Sequence, residues 1–317
     1  MTTVCASAHP NIALVKYWGK QDKPGNLPAV PSLSITLDKL TATTRVSEAK
    51  EDAFSLNGTA LTGAQQDLKL ARFLEFFRKH HDIPQISISS DNNFPTAAGL
   101  ASSAAGFAAL VTALDKLFEL RLNDHQKSAL ARVGSASAAR SILGGFVGLT
   151  SPEYEAEQIK DAVHWPLQVV VAITDTAEKS VSSTKGMTIS AQTSPYYTAW
   201  VSSADADYDA ACVAVTNKDF SKLAQIAEDS CLKMHAVMQS SQPPLLYWNA
   251  ASVACMQTVV DLRKAGEEVF FTMDAGPQVK AVCTQGSADK VNQALAAVPG
   301  VIRTEAVALG AAAKIIP

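Results

Sequence analysis

The sequence has few of the features that mark disulfide-rich, metal-stabilised or membrane-spanning proteins. Its five cysteines are scattered over 317 residues without a close pair, which disfavours both a disulfide framework and a structural zinc site. No window reaches about 18 consecutive apolar residues, and no basic segment followed by an apolar core opens the chain. We therefore expect a cytoplasmic protein without a membrane segment.

Charge of either sign is not in excess either. With 27 Lys and Arg against 30 Asp and Glu, the formal net charge is −3, so the chain has no electrostatic footprint for nucleic acid or an anionic membrane. Any functional cations must be concentrated locally. The length exceeds what one hydrophobic core usually serves, and the pattern changes near residue 175, so we predict two domains, 1–175 and 176–317.

The first hundred residues are predicted to be largely β-structure. Apolar and polar residues alternate over 33–37, which is typical of a half-buried strand, and Asn57-Gly58 lies between two short runs like the turn of a hairpin. Residues 64–81 have the periodicity of an amphipathic helix, and residues 86–90 that of a strand.

Later segments alternate between buried strands and long helices. The β-branched run 167–173 predicts a strand buried on both faces. Helical patterns then follow at about 205–218, 219–240, 245–265 and 287–298, with a strand predicted at 268–273, a further strand after it and a closing strand at the end.

A loop of small residues over 93–106 leads directly into an apolar-periodic helix that begins near Ser103. A helix N-terminus has unpaired backbone N–H groups, and Gly99 lets a polyphosphate approach the main chain. The hydroxyls of Ser102 and Ser103 can bind phosphate or its Mg²⁺. An ordinary small-residue helix cap fits the same spacing equally well, and no Gly-Lys-Ser/Thr sequence makes this a P-loop.

Three further clusters are chemically suggestive, although each has an ordinary structural interpretation. Lys16 and Lys20 follow a short apolar run and can bind anions, yet a solvated strand end with an aromatic plug is the commoner arrangement. Ser135, Ser137 and Arg140 can face one anion at a predicted helix start, or form a plain cap with a surface arginine.

The third cluster is the segment Phe-Thr-Met-Asp-Ala-Gly-Pro at 271–277. It places the carboxylate of Asp274 at the end of an apolar strand, beside a glycine turn. Asp next to Gly at a strand end is more often a turn former than a base. Each cluster alone is therefore a modest indication of function.

Together, in this order and at these separations, the clusters resemble the mevalonate diphosphate decarboxylases of the galactokinase, homoserine kinase, mevalonate kinase and phosphomevalonate kinase superfamily. The resemblance spans most of the chain. The matching segments are 11–20, 26–28, 92–106, 134–141 with Gly144-Gly145, 179–187, the sequence around His235, and 272–277.

The resemblance implies an α+β protein with the two-domain small-molecule-kinase fold, in which a mixed-sheet N-terminal domain and a ferredoxin-like C-terminal domain enclose the active site between them. It implies ATP-dependent decarboxylation of mevalonate 5-diphosphate to isopentenyl diphosphate in isoprenoid biosynthesis, with ATP and Mg²⁺ as cofactors. The implied partners are a phosphorylated mevalonate and a second copy of the chain in a homodimer.

The resemblance also implies roles for individual residues. The catalytic pair is Asp274, which orients the 3-hydroxyl or takes its proton, and Lys16 beside it. The remaining residues bind the substrate (Tyr17, Lys20, Ser135, Ser137, Arg140), the nucleotide (Pro95, Ala98, Gly99, Leu100, Ala101, Ser102, Ser103, Ser182, Ser183) and the metal (Ser103). His235 is interpreted as a structural, hydrogen-bonding histidine rather than a catalytic one.

Some positions depart from the family pattern. Ala29-Val-Pro31 stands where many relatives carry Thr-Asn-Ser, Gln278 replaces a usual asparagine, and Thr184 with Lys185 stands where some bacterial members place an arginine that reaches the diphosphate. A mevalonate 5-phosphate decarboxylase and a mevalonate 3-kinase are therefore the alternatives. More distant are another small-molecule kinase of this superfamily and a nucleotide-binding regulator, against which the presence of both Lys16 and Asp274 argues.

Overall fold

The computed structural model describes residues 2–61, 68–94, 102–177 and 180–317. These residues form three β-sheets and the helices that pack on them. The strands are β1 (Thr3–Ala8), β2 (Asn11–Val15), β3 (Ser32–Thr36), β4 (Ala42–Glu48), β5 (Ala53–Leu56), β6 (Thr59–Ala60), β7 (Ile86–Asn92), β8 (Phe146–Leu149), β9 (Ala156–Lys160), β10 (Gln168–Ile173), β11 (Val269–Thr272), β12 (Val279–Cys283), β13 (Arg303–Ala308) and β14 (Lys314–Ile316). The helices are α1 (Leu68–His80), α2 (Ser102–Leu117), α3 (Asp124–Gly134), α4 (Ala138–Ser141), α5 (Ser183–Thr193), α6 (Tyr197–Asn217), α7 (Phe220–Gln239), α8 (Ala250–Lys264) and α9 (Ala288–Ala296).

The first sheet is mixed and has the order β14-β1-β4-β7-β5-β6. Its β5–β6 hairpin confirms the predicted turn, because Asn57 and Gly58 both have positive φ, as a tight two-residue turn requires. Strand β5 runs parallel to β7, whereas the other pairs are antiparallel. The C-terminal strand β14 pairs with β1, so the end of the chain returns to the sheet in which the chain begins.

The second sheet, β2-β3-β8-β9, is antiparallel and corrects one prediction. Strand β3 was expected to be half-buried, but all five of its residues are buried. Its apolar residues join the core formed with α6 and α7, and its serines contact Arg140 on α4. The polar residues that alternate with apolar ones in β3 therefore face the buried guanidinium of Arg140 rather than solvent.

The third sheet, β11-β12-β10-β13, is antiparallel, and β10 at its interior is buried as predicted. One face packs on α8 and α9, and the other on α6, α7 and the strands of the second sheet. The α+β class is confirmed. The domain boundary at 175 stays a prediction, and β10, which precedes it, pairs with β12 and β13, which follow it.

Two helical segments differ from the sequence pattern, because one begins earlier than indicated and the other was not predicted. Helix α6 starts at Tyr197 rather than near 205, and α5 was not predicted at all. Helix α5 is rich in Ser and Thr, with Gly186 inside it, so its intrinsic helix propensity is low. Its buried contacts, including the hydrogen bond between the hydroxyls of Ser190 and Ser241 at 2.9 Å, stabilise it instead.

Gly144 lies where the C-terminal segment passes close to the second sheet. A Cβ atom at this position would stand 2.6 Å from the backbone of Ala311 and Ala312. Because both neighbours are backbone, we expect Gly144→Ala to lower the free energy of unfolding by about 1–3 kcal/mol in urea denaturation. Gly286→Ala is the matched control, since a Cβ there meets nothing within 4 Å; equal effects of the two substitutions would contradict the expected clash.

Candidate active site

A cavity of about 1120 Å³ is lined by residues of the first sheet, of α1 and α2, and of the segments that follow β2 and β11. Its lining includes each predicted site residue within the described ranges: Lys16, Tyr17, Lys20, Ser102, Ser103, Ser135, Ser137, Arg140, Ser182, Ser183 and Asp274. The other predicted nucleotide-binding positions, Pro95, Ala98, Gly99, Leu100 and Ala101, lie outside the described residues. Segments far apart in the sequence therefore meet at one site.

Asp274 follows strand β11 and presents its carboxylate to this cavity. The side chain is 29% exposed, and each of its oxygens accepts a hydrogen bond from a different lysine. Lys16 Nζ donates to Oδ1 at 2.8 Å, and Lys280 Nζ donates to Oδ2 at 3.1 Å. We refer to Lys16, Asp274 and Lys280 together as the lysine–aspartate triad.

Lys16 is fixed in place by groups from three elements. It directly follows β2, its backbone N–H donates to Ser230 Oγ on α7 at 2.9 Å, and its Nζ also donates to the carbonyl of Ala13 at 2.8 Å. The side chain is 1% exposed. The contact between Lys16 and Asp274 that the family resemblance implied is therefore present, over a separation of 258 residues.

Lys280 was not found by sequence reasoning. It lies in the middle of β12, opposite Thr272 of β11 and Val171 of β10, and its side chain is fully buried. The one available indication was a lysine inside an otherwise apolar run at 279–283, because an unpaired charge is rarely accepted at the interior of a buried strand.

The charges of the triad are strongly coupled. Burial raises the pKa of Asp274, but Lys16 and Lys280 lower it by more, so the pKa lies well below its ordinary value. Burial lowers the pKa of Lys280, and Asp274 opposes that shift. The carboxylate is therefore ionised at neutral pH, and its basicity is low.

Arg140, on α4, is almost fully buried and is surrounded by neutral partners. Its Nε donates to Ser34 Oγ at 3.0 Å, one terminal nitrogen donates to Ser32 Oγ at 2.6 Å, and the other donates to Asn11 Oδ1 at 3.3 Å. Burial lowers the pKa of Arg140 to about 10, with Asp274 opposing the shift, so the guanidinium stays protonated at neutral pH. These partners orient the charge without neutralising it, which leaves it available to an anion in the cavity.

Three hydroxyl groups form a row between α2 and α4. Ser103, in the first turn of α2, has its Oγ 3.3 Å from that of Ser135, which is 3.2 Å from that of Ser137. A row of hydroxyls beside the N-terminus of a 16-residue helix is suited to bind phosphate oxygens.

The aromatic and basic residues of segment 16–20 also face the cavity. The buried hydroxyl of Tyr17 has no hydrogen-bond partner within the described ranges, and burial raises its pKa. Lys20 Nζ donates to Asn26 Oδ1 at 2.8 Å and lies 3.5 Å from Thr184 Oγ1. Burial, and then the charge of Lys69, lowers the pKa of Lys20.

Two predicted residues have structural contacts of their own. Ser182 caps α5, because its Oγ accepts from the backbone N–H of Lys185 at 3.3 Å. His235 is buried, and its ring packs on Trp248 at a centroid distance of 4.8 Å. Burial and then Lys16 lower the pKa of His235 to about 3, so the imidazole is neutral at neutral pH. Neither ring nitrogen has a hydrogen-bond partner among the described residues, so the hydrogen-bonding role predicted for His235 stays a prediction.

Comparison with known proteins identifies the family. Residues 8–160 match the model of the diphosphomevalonate decarboxylase-like N-terminal domain, and residues 169–309 match that of the mevalonate 5-diphosphate decarboxylase C-terminal domain. The chain belongs to the diphosphomevalonate decarboxylase family. Among relatives of this family, the diphosphomevalonate decarboxylase of Candida albicans is 35% identical over 314 residues, covering 92% of this chain and 87% of that protein.

Solved structures from the family have the same fold. A complex of MDDEF with MVAPP, AMPPCP and magnesium superposes with a TM-score of 0.90 at 34% identity, covering 99% of both chains. Mevalonate diphosphate decarboxylase from Staphylococcus aureus gives a TM-score of 0.90 at 33% identity, covering 99% of this chain and 98% of that one. The predicted two-domain kinase-like fold is thereby confirmed. The individual residue roles stay predictions.

Proposed function

We propose that this chain catalyses the ATP-dependent decarboxylation of mevalonate 5-diphosphate. The γ-phosphoryl group of ATP is transferred to the 3-hydroxyl, and loss of that phosphate with CO₂ gives isopentenyl diphosphate. The observation that carries the proposal is the lysine–aspartate triad, in which Lys16 and Asp274 line the same cavity as the buried Arg140 and Lys280 supports Asp274 from behind. Family membership supports the same reaction.

Asp274 orients the 3-hydroxyl. Its carboxylate accepts two lysine hydrogen bonds and retains lone pairs directed to the cavity, where a substrate hydroxyl can donate to it. Because both lysines hold its pKa far below the ordinary range, the carboxylate is a weak base. We therefore assign it mainly to positioning the hydroxyl for in-line attack, with proton transfer late in the step.

Phosphorylation prepares the substrate for loss of CO₂. A tertiary hydroxyl is a poor leaving group, whereas its phosphate ester is a good one, so transfer comes first and elimination follows. Lys16 Nζ lies beside Asp274 and can donate to the phosphoryl oxygens as charge builds on them. No covalent intermediate with the protein is needed.

The residues present fit a magnesium–nucleotide complex. The side chains of Ser102, Ser103 and Ser183 line the cavity, and hydroxyl and phosphate oxygens are ligands that Mg²⁺ accepts. Ser103 is the hydroxyl that we assign to it, with Ser102 and Ser183 toward the phosphates. When bound, Mg²⁺ neutralises charge on the β- and γ-phosphates.

Arg140 anchors the acidic end of the substrate. Its unneutralised guanidinium fork can pair with a carboxylate or with a terminal phosphate, and the hydroxyls of Tyr17 and Ser137 and the amine of Lys20 can donate to the remaining oxygens. The substrate then extends from Arg140 to the triad. With its anionic group held at Arg140, its 3-hydroxyl is placed beside Asp274.

The number of phosphates on the substrate is the finer part of the proposal. Thr184, whose hydroxyl lies 3.5 Å from Lys20 Nζ, stands with Lys185 where some bacterial relatives have an arginine that reaches the diphosphate. The absence of that guanidinium makes mevalonate 5-phosphate the second candidate. The test offers mevalonate, its 5-phosphate and its 5-diphosphate separately with Mg-ATP, and measures ADP and CO₂ in each reaction.

We expect the highest kcat/KM for CO₂ release with the 5-diphosphate. A higher value with the 5-phosphate would establish the second candidate, and ADP without CO₂ from mevalonate would identify a 3-kinase. ADP formation with none of the three compounds would contradict the whole assignment.

We further propose that the chain acts as a homodimer in the cytoplasm, on the basis of its family. In the part of the chain that the structure describes, no helix is both long enough and apolar enough to cross a bilayer. Light scattering on the purified protein measures the assembly directly, and a single monomeric mass at micromolar concentration would contradict the dimer.

A further inference from the structure

The two lysines of the triad come from opposite sides of the interface between sheets. Lys16 follows β2 of the second sheet, and Lys280 is in β12 of the third. Lys280 and Val282 lie on the face of β12 that points toward the second sheet, because Val282 packs in the core shared with β2 and β3. Asp274, which follows β11, therefore receives one hydrogen bond from each sheet.

Fold stability alone is a weak reason for a charge at Lys280. A lysine that is 0% exposed loses its hydration, which its contacts, including the ion pair with Asp274, have to offset. An apolar side chain of the same length would fill this position in the sheet without that cost. The benefit of the charge must therefore be sought in the site that Asp274 faces.

The position of Lys280 gives it two effects on that site. It fixes Oδ2 while Lys16 fixes Oδ1, so the plane of the carboxylate is set from both sides and its remaining lone pairs are directed to the cavity. The triad places two lysine ammonium groups on one carboxylate, so its formal charge is positive. Such a group attracts an approaching phosphoryl group.

We propose that Lys280 is a positioning residue for phosphoryl transfer, acting through Asp274 to orient the carboxylate and to keep the triad cationic. This inference rests on the proposed function, because it assigns Lys280 to the step in which the 3-hydroxyl attacks. Lys280 is predicted to affect the rate of that step rather than the binding of either substrate.

The kinetic test compares Lys280→Met, which removes the charge and retains the unbranched chain, with Lys280→Arg, which retains the charge. We expect kcat of Lys280→Met to fall about 10- to 100-fold, as loss of a hydrogen bond between charged groups implies, with both KM values within about twofold of wild type. Lys280→Arg should recover part of the lost rate. Val282→Ala, on the same strand and face, is the packing control and should lower stability with kcat nearly unchanged.

A second readout follows the carboxylate itself and needs no turnover. Asp274 is faced by Lys16 and Lys280, with Cys231 and His235 of α7 nearby and Arg140 across the cavity. Removal of Lys280 leaves only Lys16 of the two lysines to oppose the effect of burial, so the pKa of Asp274 should rise. The acid limb of the pH profile of kcat should then move to higher pH. Carbon-13 NMR of protein whose aspartates are labelled at the side-chain carboxyl reports this titration in the free protein. The signal of Asp274 is the one that disappears in Asp274→Asn.

The outcomes separate the two proposals. Absence of CO₂ release by the wild type contradicts the proposed function, whereas the NMR titration still tests the coupling of Lys280 to Asp274. If folded Lys280→Met retains wild-type kcat, or if the titration of Asp274 does not move, Lys280 is not a positioning residue. A loss of rate equal to that in Val282→Ala, with equal loss of stability, would also overturn the inference.

Discussion

Asp274→Asn is expected to lower kcat by about 10³-fold or more, with KM for the phosphorylated substrate within a few-fold of wild type. The amide has nearly the same shape as the carboxylate, but it has no charge and presents an NH₂ group toward one of two lysines that now donate to oxygens. The 3-hydroxyl therefore loses its charged acceptor, and the two cations lose the anion between them. The rate of CO₂ release under saturating substrate measures the effect.

The matched control for this substitution is Asp209→Asn, which makes the same chemical change on the exposed surface of α6, away from the cavity. Its kcat should equal that of wild type. Both variants should first be compared by thermal unfolding, since two buried lysines without their carboxylate destabilise the fold. A folded Asp274→Asn variant that turns over at a near-normal rate would remove Asp274 from the chemistry.

Arg140→Lys is expected to lower kcat/KM about 100-fold, mainly through KM of the phosphorylated substrate, although the formal charge is unchanged. The guanidinium uses three nitrogens on Ser34, Ser32 and Asn11, and an ammonium group cannot reproduce that planar arrangement. An ammonium also loses more hydration on burial. The position of the charge relative to the substrate therefore changes even if the charge persists.

The control for Arg140→Lys is Arg263→Lys, at a partly exposed arginine that pairs with Glu228 outside the cavity. This substitution should leave both KM values unchanged. If Arg140→Lys binds the phosphorylated substrate as tightly as wild type, the anchoring role of Arg140 is wrong. An increase in KM for ATP alone would instead move Arg140 to the nucleotide side of the site.

Local signals in the sequence predicted local structure well. The Asn57-Gly58 turn and the buried strand predicted over 167–173, which is observed as β10, depend on neighbours within a few residues. Such interactions can be derived from spacing and residue type alone. The long-range pairing of Lys16 with Asp274 could not be so derived, and came from the family resemblance.

The features that were missed depend on packing between distant segments. Helix α5 forms where its own propensity is low, because it is covered by α7 and the segment after it. Ser34 of β3 was assigned to the polar face of a half-buried strand, yet it accepts a hydrogen bond from Arg140, which lies more than a hundred residues later. Lys280 acquires its importance from a strand pairing that a linear pattern does not reveal.

The most direct test of the central claim is a crystal structure of this chain with its phosphorylated mevalonate and a non-hydrolysable ATP analogue. The triad and Arg140 define where each end of the substrate must lie. We predict a 3-hydroxyl oxygen within about 3.2 Å of an Asp274 carboxylate oxygen, the distance of a hydrogen bond, with the terminal phosphorus of the analogue in line beyond that hydroxyl. A substrate bound in the cavity with its 3-hydroxyl directed away from Asp274 would contradict the account.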